Sequence, residues 1–82
     1  MQFFYVYILQ SESGVKHFSV GRTEDLRARF KKHNAGEVPH TSKFRPWKIK
    51  TAIAFNEENR AVELFERYLK TASGRAFAKK RL

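Results

Sequence analysis

The 82-residue chain has no cysteine, one methionine and 8 acidic residues, against 17 lysines and arginines. Without thiols, no disulfide or thiolate-bound metal can staple the fold, and the redox compartment is left open. The core of one small domain, residues 1–82, must therefore come from 8 Phe, 3 Tyr, one Trp and the aliphatics. Long apolar runs are also missing. The opening one, Phe3 to Leu9, is far shorter than the ~20 residues that cross a bilayer. It has no basic lead-in and no small-residue cleavage site, so a signal peptide is not expected and a cytoplasmic location is. Repeats, low-complexity tracts and interdomain linkers are absent.

The shortage of acids narrows the chemistry. Glu12, Glu24, Asp25, Glu37, Glu57, Glu58, Glu63 and Glu66 mostly fall in turns or at expected helix starts, which disfavours a carboxylate cluster holding two metals. No Gly-rich phosphate loop, zinc-finger spacing or Ser-His-Asp pattern is present. The formal net charge of +9 favours a polyanionic partner, nucleic acid before membrane.

What is present has a clear order. Phe3 to Leu9 is apolar on both alternating faces and reads as a central strand. Ser11-Glu12-Ser13-Gly14 is turn chemistry, and Val15 to Val20 reads as the returning strand of a hairpin, with His17 and Ser19 on one face. A helix is expected from about Glu24 to Ala35, capped by Thr23 with Glu24 and Asp25 in its first turn, and stopped by Gly36. Leu26 and Phe30 form its packing stripe, with Arg29 and His33 on an adjoining face about 60° away. Glu37 to Pro46 reads as a basic, hydroxyl-rich loop.

Trp47 to Phe55 reads as an edge strand, with Ile49, Thr51, Ile53 and Phe55 facing one way and Lys48 and Lys50 the other. Asn56 can cap a second helix with Glu57 and Glu58 in its first turn. Its stripe is Ala61, Val62, Phe65, Tyr68, Leu69 and Ala72, and Glu66 falls at the margin. Ser73 starts a last short helix anchored by Phe77. The simplest closure is an α+β domain in ββαβα(α) order, a three-stranded antiparallel sheet with the first strand central and helices on its flanks.

Three side chains invite a chemical reading alongside a structural one. Glu66 is the acid best placed to face the sheet, and a single carboxylate with waters and phosphate oxygens suits Mg²⁺. It is equally spaced to pair with Lys70 one turn on. Arg29 could brace a phosphate bidentately or be a solvated helix residue. His33 could move a proton or be a helix-end cation.

Tyr5-Val6-Tyr7 and Ser19-Val20-Gly21, followed by Arg29, His33 and Glu66, resemble the GIY-YIG nuclease domain over about Phe3 to Lys80. HNAG at His33–Gly36, RPW at Arg45–Trp47, YLK at Tyr68–Lys70 and SGR at Ser73–Arg75 look closest to its small stand-alone bacterial members. Each motif alone is weak; their order and spacing together are specific. The resemblance implies metal-dependent hydrolysis of DNA phosphodiesters with Mg²⁺ or Mn²⁺ on Glu66. Tyr7 is then the first-motif tyrosine, Arg29 stabilises the scissile phosphate, and His33 organises water or phosphate. Arg22 and His40 are possible auxiliaries, and Arg22, Lys32, Lys43, Arg45 and Arg75 are candidate DNA contacts.

Ser19 departs from the family pattern. It stands where the family carries a tyrosine thought to act as general base, and an alkoxide is far harder to form than a phenolate of parent pKa about 10. Three explanations stand open: an inactivated variant made to trap a complex, a natural relative with weak or relocated activity, or a base supplied by His17. An impaired endonuclease is the first expectation. A non-catalytic nucleic-acid-binding module and, more weakly, a basic protein-interaction domain are the alternatives.

Overall fold

Phe4–Ser11 forms the central strand, β1, of a three-stranded antiparallel sheet, with β2 (Phe18–Thr23) on one side and β3 (Trp47–Phe55) on the other. Helices α1 (Leu26–Asn34) and α2 (Pro39–Ser42) lie between β2 and β3 in sequence, and α3 (Arg60–Leu69) and α4 (Ala72–Arg81) follow. The computed structural model describes residues 3–14, 16–56 and 60–82. Val15, the expected first turn at Glu57 and Glu58, and the side chain of Ala61 lie outside the described residues. The α+β architecture is the expected one, with the both-faces-apolar strand in the middle.

Residues opposite one another in an antiparallel pair share a sheet face. Tyr5, Tyr7 and Leu9 face the same way as Thr23, Gly21 and Ser19, whereas Val6, Ile8 and Gln10 share the other face with Arg22, Val20 and Phe18. Two cores follow. On one face Tyr7, Leu9 and Trp47 are buried against Leu26 and Phe30 of α1 and Phe44. On the other, Val6, Ile8, Val62 and Leu69 pack with Val20, Phe55 and Phe65. Each large aliphatic fully buried contributes about 1.5–3 kcal/mol over its exposed form.

Several local expectations are corrected. The second strand is Phe18–Thr23 rather than Val15 to Val20, because its register on β1 carries it through Gly21 and Arg22. α1 starts at Leu26, so Glu24 and Asp25 are outside its first turn. Asp25, not Thr23, is the cap, its carboxylate accepting the Ala28 N–H at 3.0 Å while Thr23 accepts the Asp25 N–H. Gly36 does end the helix region, with a φ of +79° that a side chain would resist. The expected loop contains the single turn α2, with Pro39 at its first position.

In β3 a bulge between the Ile8↔Thr51 and Leu9↔Ile49 pairs turns Ile49 to the α1 face, away from Thr51, Ile53 and Phe55. α4 begins at Ala72 rather than after Ser73, capped by Thr71. Ala78 and Leu82 pack against the core. Phe77, expected as the anchor, and Tyr68 instead remain largely exposed and meet each other at 6.1 Å. Ala72 is likewise exposed.

Candidate active site

Tyr7 and Gly21 are direct partners across β1 and β2, and Tyr7 lies on the α1 face with only 3% of its surface exposed. A Cβ at position 21 would collide with the Tyr7 hydroxyl, so the missing side chain is what lets the phenol lie across β2. There it meets α1. The Tyr7 hydroxyl is 3.0 Å from His33 Nε2, with the two rings edge to face.

The direction of this bond follows from its neighbours. The Thr41 hydroxyl donates to the Val38 carbonyl at 3.2 Å, so its oxygen accepts from His33 Nδ1–H at 2.9 Å. Nε2 is then the acceptor and Tyr7 O–H the donor. A buried relay thus runs from Tyr7 through His33 and Thr41 to Val38. Thr41 is carried there by α2, and Trp47 fixes it by donating its indole N–H to the Thr41 carbonyl at 3.0 Å. Asn34 locks α1 to β3, accepting the Trp47 N–H and donating to its carbonyl.

Burial raises the Tyr7 phenol above its ordinary pKa of 10.0; neighbouring Arg29 opposes this rise, whereas the negative charge of Glu66 adds to it. Burial lowers His33 below 6.5, and the positive charges of Arg29 and His40 lower it further. His33 is therefore a neutral imidazole at pH 7, not the helix-end cation that its position on α1 also suggests.

Glu66 reaches this cluster from the other face. It projects from α3 with 13% of its side chain exposed, and ion-pairs with Arg22 at 3.4 Å and Lys70 at 3.2 Å. Arg22 is opposite Val6, on the α3 face. The candidate site therefore wraps around the edge strand β2, with Tyr7, Arg29 and His33 on one side and Arg22 and Glu66 on the other.

Ser19 is opposite Leu9 and shares the α1 face with Gly21, two residues and roughly 7 Å along the strand. A tyrosine there would stand beside Tyr7. His17 precedes β2 and stacks on Phe44 at 3.9 Å, beyond the end of the strand. His40 is exposed on α2. Lys43 lies over the Phe44 ring and Arg45 donates to the Ser42 carbonyl, while Lys32 and Arg75 are at the surface. Thr41 and Asn34 were not expected as functional supports. The hydroxyl-rich loop was the only signal for Thr41.

Among the described residues no group of three or more His, Cys, Asp or Glu side chains could cage a metal. The donor chemistry still fits one hard divalent cation. A lone, partly sheltered carboxylate is held by two cations whose side chains are 42% and 53% exposed and free to turn to a phosphate.

A family model, that of the GIY-YIG catalytic domain, matches residues 3–81. The chain is a GIY-YIG protein. The match spans nearly all of it and carries the nuclease-type fold with it. No curated protein and no solved structure matches the chain. Among the described residues no helix of this GIY-YIG domain is long and apolar enough to cross a membrane.

Proposed function

We propose that this GIY-YIG domain is a DNA endonuclease that hydrolyses phosphodiester bonds with one divalent metal, Mg²⁺ or Mn²⁺, and works slowly because Ser19 replaces a tyrosine. The observation that carries the reading is the Tyr7–His33–Thr41 relay beside Arg29 and Glu66. Glu66 would hold the metal, which when bound supplies Lewis-acid stabilisation of charge on the phosphate. Arg29 braces a non-bridging phosphate oxygen and offsets the charge that develops on it. Arg22 and Lys70 exchange Glu66 for the phosphodiester backbone when DNA arrives.

Tyr7 takes a proton from the attacking water as its own passes to His33 Nε2. The neutral state of His33 at pH 7 makes it able to accept. The raised pKa of Tyr7 makes the same phenol reluctant to ionise, so in this reading it is a poor substitute for a tyrosine at position 19. The test is single-turnover cleavage of single-stranded, duplex and branched DNA with Mg²⁺ and with chelator. Metal-dependent products support the reading, and intact DNA at saturating protein contradicts it.

A second reading, a non-catalytic DNA-binding module, is favoured by one observation: both Glu66 oxygens are engaged by cations. It expects the same DNA affinity with no cleavage by any variant.

A further inference from the structure

The α3 side of the sheet holds a groove of about 770 Å³ that lies outside the Tyr7 cluster. Its floor is apolar, built from Ile8, Val20, Leu69 and Ala78. Its rim carries five cations, Lys16, Lys50, Lys70, Arg75 and Lys79, and no carboxylate among the described residues. Phe18 forms part of the wall with 41% of its surface exposed, so its ring is open to whatever enters the groove. Lys70 belongs to both regions, since it lines the groove and pairs with Glu66.

We propose that this groove binds a single-stranded nucleic-acid segment, the flank that leads away from the phosphate held at Glu66. Its ligand class rests on the proposed action on DNA. A cationic rim tracks a phosphodiester backbone whatever its sequence. An exposed aromatic ring on an apolar floor takes the flat face of an unpaired base. Duplex DNA offers no such face, because its bases are already stacked on one another. An acidic protein would satisfy the rim but offers a planar group only where an aromatic or arginine happens to fall, whereas every nucleotide carries one. The continuity through Lys70 gives the groove a place in the reaction: the phosphate that draws Lys70 away from Glu66 enters the groove next.

The experiment measures fluorescence anisotropy of labelled oligothymidine, a hairpin duplex and heparin, all in chelator so that no cleavage intervenes. Phe18→Ala should weaken oligothymidine binding roughly five- to 150-fold, the loss of one stacked base, with heparin binding unchanged. Arg75→Ala with Lys79→Ala, both exposed on α4, should reduce the salt slope for the single strand by about 1.4, at ~0.7 per phosphate contact. Circular dichroism establishes that each variant folds. Phe18→Trp provides a second variant that keeps a ring and should retain affinity. Equal losses for heparin and oligothymidine in Phe18→Ala, or unchanged oligothymidine binding in all variants, would overturn the proposal. Cleavage by the unaltered protein with Mg²⁺ is scored separately. Its absence counts against the endonuclease, and the anisotropy results alone decide the groove.

Discussion

The two faces of the same sheet are built from different materials. The α3 face is an apolar seam of Val6, Ile8, Val62 and Leu69, without a buried polar side chain in the cluster. The α1 face also buries large side chains, yet Tyr7, His33 and Thr41 run a hydrogen-bonded line through it. An apolar seam tolerates changes of partner if volume is kept, whereas a polar line fails when one member is lost. Every buried side-chain polar atom among the described residues has a partner, so the line is complete. The contrast separates an all-apolar core from a core that carries a polar line, and the proposed function puts the chemistry on the second.

The largest effect that would sharpen this division is on Glu66. Glu66→Ala should reduce metal-dependent cleavage about a thousandfold, roughly 4 kcal/mol of barrier, while DNA binding persists because the basic surface supplies most affinity. Parallel gel-shift and cleavage assays check it, and equal loss of both would break the division of labour.

A pair of core substitutions compares the faces directly. Leu69→Ala, on the apolar side, should cost about 2–5 kcal/mol in urea unfolding, with the cleavage rate per folded molecule at saturating DNA little altered, although Leu69 also floors the groove and affinity can shift. Thr41→Val, on the polar side, should cost less, about 1–3 kcal/mol, because it orphans His33 Nδ1–H. Its cleavage should nonetheless fall by tenfold or more as the imidazole loses its tautomer and orientation. The reverse pattern would mean that the polar line is only structural.

The smallest effect is in the pH dependence of stability. Above about 6.5, His33 is neutral whether the chain is folded or not and contributes no slope. As pH falls below that value, the unfolded chain takes up the proton first, so stability declines until the lower folded pKa is passed. His33→Gln should remove this component of the decline. Urea titrations between pH 7.5 and 5 measure it, and identical slopes in the two proteins would place His33 in solvent.

How much of this could be read before folding depended on the range of the interactions. β1 was legible because it is apolar on both alternating faces, and Gly36 because its conformation excludes most other residues. Strict alternation puts Ile49 on the wrong face, since it has no knowledge of a bulge set by pairing with β1. Thr23 and Asp25 are both good caps, and only the path out of β2 decides between them. Helix phase and motif order both point to Arg29, His33 and Glu66, but neither shows the burial of His33. It depends on Thr41, which the α2 turn carries back from eight residues away. Nor did any local pattern foretell that Glu66 would approach around the edge of β2.

The measurement that bears most directly on the central claim, that the relay from Tyr7 to His33 is the proton acceptor left in place by Ser19, is a two-by-two single-turnover cleavage series. It combines Ser19 or Ser19→Tyr with Tyr7 or Tyr7→Phe, on single-stranded, duplex and branched DNA with Mg²⁺. General-base catalysis is worth about 10²–10⁴-fold. Ser19→Tyr should therefore raise cleavage about a hundredfold with little change in DNA affinity. Tyr7→Phe should abolish the residual activity of the Ser19 protein and matter less once Tyr occupies position 19. A Ser19→Tyr protein that folds, binds DNA and cleaves none of the three substrates would contradict the account and leave a DNA-binding module.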